Sequence, residues 1–350
     1  MDIINGTHIR EQGYNYARKA AFMPGAKVMT TTEEVVYPTP IPDKATSVKS
    51  GKEVVPPPVM VQEVEVVNEV AYNNIQFAEV FGDFGKYDGS SNSNFDYDTW
   101  GVTGATFHRF DDNWLAGLSY GYAGSKVDYK TNEGGKEDID SLGISGLVSY
   151  QKDNWLLTGN LGYSWSKHDL TRKIYDRDHV ILGTPPVQSM SADFDSHFIS
   201  LGAELGYNYA IDETSSLYPY VGLDYIWYSR DSYKEDGSDY ALDVDKTDLN
   251  TAVSKLGLLY EKSWDKIGVF GDIGWQHYFD DPNSFDATFY KGAPATYEIP
   301  GLDIGKDVAY VKVGMTYDFN EQLTGGIDYT GAFRNNETSN RVGVNIQYKW

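Results

Sequence analysis

A chain of 350 residues has room for one large domain or two ordinary ones. It carries 29 basic against 51 acidic residues, a formal charge of −22 that argues strongly against nucleic acid as a partner. Cysteine is absent, which excludes disulfide scaffolds and thiolate metal sites, while 28 Tyr and 35 Gly suit the girdles and curved strands of a barrel better than an ordinary core.

The amino-terminal stretch Met1-Asp2-Ile3-Ile4-Asn5-Gly6-Thr7 has no basic region leading into an apolar one, so the expectation is a chain that starts partway through a longer precursor. Residues 1–72 hold seven of the thirteen prolines, among them Pro38, Pro40, Pro42 and the run Pro56-Pro57-Pro58. Residues 1–58 therefore read as a poorly ordered linker or passenger remnant, extended as polyproline II between Thr30 and Pro58. In residues 59–73 Val64, Val67 and Val70 keep helical spacing, but β-branched side chains weaken a helix, so helix and strand both stay open. No apolar run approaches the ~20 residues of a membrane helix.

From Asn74 onward the pattern is strand, long polar loop, strand, short turn. About twelve strands are predicted: 75–85, 97–110, 114–129, 138–151, 155–169, 193–211, 216–230, 248–262, 266–280, 307–319, 323–334 and 339–350. Apolar and polar residues alternate within them, as Ala309, Val311, Val313, Met315 and Tyr317 do against Tyr310, Lys312, Gly314 and Thr316. A period of two means a strand whose faces meet different surroundings. Short turns (110–113, 151–154, 212–215, 263–266, 320–322) alternate strictly with longer segments (86–96, 130–137, 170–192, 231–247, 281–306, 335–338). In an up-and-down barrel this sorts all short turns to one rim and all long loops to the other. A Greek-key sandwich would not sort them. The fold class expected is therefore all-β: a transmembrane, up-and-down antiparallel barrel of outer-membrane type spanning 74–350.

Twelve strands at ~4.8 Å spacing and ~40° tilt give a backbone diameter of roughly 24 Å. Inward side chains reduce this to about 10 Å, the width of one helix. Lys312, Asp328, Arg334, Asn345 and Lys349 are predicted to face this hole, which makes it polar and hydrated. The closing strand puts Val342, Val344, Ile346, Tyr348 and Trp350 on the lipid face, paired with the first strand near Phe77–Phe84. A slip of one residue would push Gln347 and Lys349 into lipid, so the pattern fixes the register of closure.

Several stretches also resemble a known family. Phe84-Gly85 followed by Tyr97-Asp98-Thr99-Trp100-Gly101, Phe110-Asp111-Asp112-Asn113-Trp114, Ala192-Asp193-Phe194-Asp195-Ser196-His197 and Leu217-Tyr218-Pro219-Tyr220-Val221-Gly222 occur in an order and spacing similar to the translocator β-domain of autotransporters, the type V secretion proteins. The likeness runs from about Val80 to Trp350. It implies an outer-membrane barrel that exports and anchors a passenger segment, surrounded by lipid and inserted by the barrel-assembly machinery. It implies an assembly signal at Gly343, Ile346, Tyr348 and Trp350, ending on Trp where Phe is commoner. It also implies a lumenal linker, extended or helical, within 59–73, at Val64, Val67, Val70, Asn73 and Asn74; some relatives cut themselves between paired asparagines inside the pore helix, and the pair Asn73-Asn74 departs from that pattern by abutting the first strand.

Candidate chemistry is thin, and no enzyme and no cofactor are expected. The six histidines show no His-x-x-x-His zinc spacing. Ser196 and His197 invite a triad, but strand neighbours point to opposite faces. Asp111-Asp112 lie in a short turn, and Asp239, Asp243, Asp245 and Asp248 lack the Gly and terminal Glu of an EF-hand loop. The alternatives to an export barrel are a free-standing channel or an adhesin whose loops 170–192, 231–247 and 281–306 bind a ligand, and, third, a barrel enzyme.

Overall fold

The computed structural model describes residues 2–22, 26–36, 61–89, 94–130, 134–175, 187–280, 285–289, 296–299 and 305–350. Twelve long strands form the barrel: β1 (Asn74–Tyr87), β2 (Phe95–Arg109), β3 (Trp114–Tyr129), β4 (Gly135–Lys152), β5 (Trp155–Tyr175), β6 (Val187–Tyr207), β7 (Ser215–Arg230), β8 (Thr247–Trp264), β9 (Ile267–Tyr278), β10 (Asp307–Asp318), β11 (Leu323–Phe333) and β12 (Glu337–Lys349). Each pairs antiparallel with its neighbour in sequence. β12 returns to β1 from Glu337↔Tyr87 to Lys349↔Ile75, and Trp350 exchanges both backbone bonds with Asn74 at 3.1 Å. The sheet has no free edge, which is what a strand-built span in lipid requires.

The turns explain the regular meander. Lys152 pairs with Trp155 and Trp264 with Ile267, so two-residue loops join these strands. Their first residues, Asp153 (φ 52°) and Asp265 (φ 48°), take the left-handed conformation that Asp tolerates better than most side chains. Asp111 accepts the amides of Asn113 and Trp114 at 2.8 Å, and Asn320 those of Gln322 and Leu323 at 2.9 and 2.8 Å. On this side β7 pairs first with the short strand Tyr209–Asp212 and then with β6, and the ladder breaks between Leu217↔Tyr209 and Tyr220↔Gly206. Pro219 falls at that break, where its missing amide leaves no ladder bond unmade.

The outer face is apolar along its whole girth. Val80, Val102, Leu142, Leu161, Leu201, Leu223, Leu256, Ile273, Val313 and Val344 are all exposed. Exposed aromatics ring both ends of this band: Trp114, Trp155, Trp264, Phe319 and Trp350 near the short turns, and Phe84, Trp100, Trp227, Trp275 and Phe333 near the long loops. Two girdles bounding an apolar band mark the boundaries between lipid and water.

The long loops are partly built. Segments Tyr233–Lys234, Leu242–Val244, Phe285–Phe289 and Thr296–Ile299, expected as loop, form a small four-stranded sheet. Buried Glu235 ties this region to β5 through a two-pronged pair with Arg172 at 2.7 and 2.5 Å. A separate unit, Pro24–Tyr72, contains Ala26–Val36 paired antiparallel with Val61–Ala71. Val64, Val67 and Val70 thus sit in a strand, as their β-branching favours. Thr30–Val36, expected as polyproline II, lie in the first of these strands, and the rest of that expectation, 37–58, falls outside the described residues.

Val344 is 53% exposed midway along β12. Val344→Arg is expected to cost about 2–4 kcal/mol in equilibrium unfolding from lipid, whereas Asp112→Arg in a short turn should stay within about 0.5 kcal/mol. Equal costs would show that this face does not meet lipid.

Candidate functional site

The lumen is filled by the chain's own amino-terminal helix α1 (Asp2–Phe22), which packs against β2–β6. This corrects the expectation for residues 1–58 and 59–73: the lumenal segment lies some fifty positions earlier, and Val64, Val67 and Val70 belong to the Pro24–Tyr72 unit. The reason is chemical. A polar lumen selects a polar helix, so the segment that fits carries no apolar stripe for a sequence reading to find. Its prolines begin only at Pro24, just past its end. Among the described residues no helix is long and apolar enough to cross a membrane.

Side chains described from Arg10 onward sort into faces by the helical period. Arg10, Tyr14 and Arg18 face β6–β9. Arg18 grips Glu204 through two bonds of 2.6 Å, stands 3.5 Å from Asp272 and lies 3.9 Å from the centroid of the Tyr220 ring. Tyr14 donates to Asp224 at 2.9 Å, and Arg10 lies 3.7 Å from the same carboxylate. Lys255 from β8 sits 3.2 Å from Asp224, 3.4 Å from Glu11 and 3.8 Å from Glu204, with its ammonium 3.8 Å over the Tyr14 ring. A side chain at Gly202 would meet the Asp224 carboxylate at 1.8 Å, so only glycine leaves room for the Tyr14–Asp224 bond.

Gln12 and Tyr16 face the closing seam. Tyr16 donates to Glu79 at 3.1 Å and meets the Thr103 hydroxyl at 3.0 Å, Gln12 donates to Glu79 at 3.2 Å, and Arg341 of β12 pairs with the same carboxylate. Tyr16 also stacks on Phe77 at 4.7 Å. Ala17, Ala20 and Ala21 pack with Phe107, Leu115, Leu147 and Leu156 in the apolar end of the lumen. The helix ends there: the Arg109 guanidinium donates to the carbonyls of Ala20 and Ala21 at 2.9 and 3.1 Å, satisfying terminal acceptors with a cation. Glu11 and Asn15 border the remaining space, a cavity of about 920 Å³ reaching Asp272, Lys312, Arg334 and Arg341.

Of the residues predicted to face the pore, three come together. Lys312 lies 3.2 Å from Asp328, which accepts from Asn345 at 3.1 Å. Arg334 stands apart near the long-loop rim, 3.6 Å from Glu337 and 4.7 Å from the Tyr278 ring centroid. Lys349 is half-buried at the opposite rim. Ile346, Tyr348 and Trp350 are on the outer face; Gly343 is inward, where a Cβ would come within 2.6 Å of Glu79. Asn74 opens β1 at the rim, and Asn73 just before it accepts the backbone amide of Arg109 at 2.7 Å. Sequence reasoning missed Arg10, Tyr14, Arg18, Glu79, Glu204, Asp224, Lys255 and Arg341. The available signal was a charged residue at an inward position of a strand, which it applied only to the last three strands.

The candidate chemistry resolves into structure. His197 is on the outer face beside the Tyr163 hydroxyl at 3.0 Å, while Ser196 turns inward to His168 at 3.1 Å. His168 in turn meets Glu137 at 2.6 Å, a Ser–His–Glu chain from three strands that the sequence did not bring together. Ser196 is only 1% exposed and His168 lies stacked on Phe194 at 4.4 Å, so the chain closes the wall and offers no reachable nucleophile. Asp243 pairs with Lys234 at 2.8 Å and Asp248 with Lys246 at 3.1 Å. Among the described residues no three His or carboxylate groups converge as a metal site.

Comparison with known proteins places this architecture. The autotransporter β-domain family matches residues 76–330. Two extracellular serine proteases of Serratia marcescens are 24% and 23% identical over 291 residues, 80% of this chain but 26% of theirs, so the chain spans about a quarter of these relatives. The translocator domain of the Neisseria meningitidis autotransporter NalP superposes with a TM-score of 0.64 at 16% identity, covering 79% of this chain and 88% of that one. The β-domain of the Bordetella autotransporter BrkA gives 0.56 at 13% identity, covering 79% and 100%.

Removing one partner of a buried ion pair costs about 3–5 kcal/mol, because the other charge stays buried. Glu204→Ala should therefore destabilise the folded barrel by that amount in thermal or urea unfolding. Arg18→Met combined with Glu204→Leu should cost far less than the sum of the two single changes. Additive costs would show that the pair does not hold α1.

Proposed function

Because the chain belongs to the autotransporter β-domain family, we propose that it is the outer-membrane route and anchor for a passenger joined to the amino-terminal end of α1, with no chemistry of its own. The observation that supports this most directly is the lumen: a segment of the same chain threads it and is held by Glu79, Glu204, Asp224 and Asp272. A free-standing channel gains nothing from filling its own pore with a matched helix. In this reading the short turns face the periplasm and the long loops the cell surface. The protease activity in the names of the Serratia relatives is theirs, and the shared quarter of their length is the barrel portion. The partners are outer-membrane lipid around the apolar band, the passenger, and the barrel-assembly machinery, which reads Gly343, Ile346, Tyr348 and Trp350.

Conductance in planar bilayers tests the plug. Full-length protein should conduct weakly, through the cavity beside α1, and a variant lacking residues 2–22 should conduct several-fold more. Equal conductance for both would sink the reading. The assembly signal makes a second prediction. Deleting Tyr348-Lys349-Trp350 removes the pairs Tyr348↔Gln76 and Lys349↔Ile75, and should leave the protein unfolded in the periplasm, without the compact, heat-sensitive band of a folded barrel on gels. Normal membrane insertion of the truncated chain would refute it.

A further inference from the structure

The outer face is not uniform around the ring. Toward the short-turn rim the outward positions of β1 and β2 are Asn74, Gln76, Ala78, Gly104, Thr106 and His108, small or polar where the flanking strands carry Ile346, Tyr348 and Leu118. Ile346 lies opposite Ala78, Ala78 opposite Gly104 and Gly104 opposite Tyr120, so in this row nothing larger than a methyl stands between Ile346 and Tyr120. The result is a cleft of about 1070 Å³, floored by Ala78 and Gly104 and walled by Tyr120 and Leu142 on one side and by Val344 and Ile346 on the other. Glycine is needed at 104, because a Cβ there would come within 2.8 Å of the Tyr120 ring, which lies down across β2. Lying so, Tyr120 reaches Gln76 of β1, whose amide nitrogen donates to its hydroxyl at 2.9 Å, while Thr106 donates to the amide oxygen at 2.6 Å. The chain of donors runs from Thr106 through Gln76 to Tyr120 and stops there. Among the described residues the Tyr120 hydroxyl has no acceptor for its own proton. A donor left without a partner in hydrocarbon is costly.

We infer that this cleft binds one glycerophospholipid of the short-turn leaflet, with an acyl chain lying between Tyr120 and Ile346 and the Tyr120 hydroxyl donating to the carbonyl of its ester. The inference rests on the apolar band meeting lipid, as the proposed function has it. Lipid is the occupant because the cleft opens within that band, beside the exposed Val80 and Val344. A second barrel, with its own stiff wall, could not enter a recess one side chain deep, whereas a flexible chain can. The depth agrees with the chemistry. Gln76 and Thr106 sit one outward step inside Asn74 and His108, about 7 Å along the strand. His108 is exposed, packs edge-on against Phe110 at 4.8 Å and bonds Asn74 at 2.8 Å, so this outer pair stands at the level of the headgroup. The ester lies just inside, between headgroup and hydrocarbon, where the Tyr120 proton needs an acceptor.

Native mass spectrometry of the full chain, carried from detergent micelles doped with dioleoyl phosphatidylethanolamine, counts the lipids retained by each folded barrel. Folding of each variant is checked by the heat-sensitive band. The unaltered chain should retain one lipid. Val80→Trp fills the cleft and should lower the retained fraction several-fold, while Leu223→Trp, on the same band at β7, should leave it unchanged. Tyr120→Phe keeps the ring and removes the donor. It should weaken retention several-fold, to the level at which the unaltered chain holds a diether analogue with the same chains and headgroup, and it should hold the ester and ether lipids alike. Equal retention of the two lipids by the unaltered chain, or retention indifferent to Val80→Trp, overturns the inference. A dimer that Val80→Trp abolishes, in place of a retained lipid, overturns it in favour of a second copy of the chain. Failure of the unaltered chain to reconstitute into vesicles of the ester lipid would instead overturn the lipid-facing band, and the inference with it.

Discussion

A peptide group in hydrocarbon has no water to bond, and an unpaired one costs several kcal/mol. That constraint drives this structure. A sheet in lipid must close on itself, so β12 has to find β1 along the whole run from Glu337↔Tyr87 to Lys349↔Ile75. Closure leaves two faces with opposite demands. The outer one carries leucine, valine and an aromatic rim; the inner one, freed from lipid, is serine, carboxylate and base. Even the turns serve closure, since two-residue loops at Asp153 and Asp265 keep neighbouring strands in register around the ring.

Closure also creates a hole, and twelve strands make it the width of one helix. Charges on its wall cannot stay uncompensated where little water reaches them. α1 supplies the complement: Arg18 for Glu204 and Asp272, Arg10 and Tyr14 for Asp224, Gln12 and Tyr16 for Glu79. Lys255 and Arg341, from the wall itself, tie these pairs into networks. The lock is matched in position as well as sign, because the helical period spaces its groups to meet charges on different strands. Specificity for this helix over another follows, and so does its firm seating.

The strands were legible because a period of two survives wherever the faces differ in solvent, and the last strand shows it without interruption from Val342 to Trp350. Strand ends were less so. β5 and β6 run on to Tyr175 and from Val187, past residues that read as loop, since above the membrane both faces meet water and the alternation fades. The small sheet near the long loops escaped for the same reason, being assembled from pieces of two to five residues. The helix was missed most instructively. Gly6, Gly13 and a ring of polar residues argue against a helix in water, and residues 59–73 offered a tempting valine spacing instead.

What the sequence alone determined is therefore whatever depends on contact with a bulk medium: the barrel, its strand number, the sorting of turns, the lipid face and the register of closure. Lipid and water impose their preferences residue by residue, so the pattern is local and readable. Only the tertiary structure decided what fills the lumen, which carboxylate meets which base, and that Ser196 turns to His168 rather than His197. Those partners come from strands up to 262 positions apart, as Glu79 and Arg341 do. Complementarity between such positions exists only once the ring has closed.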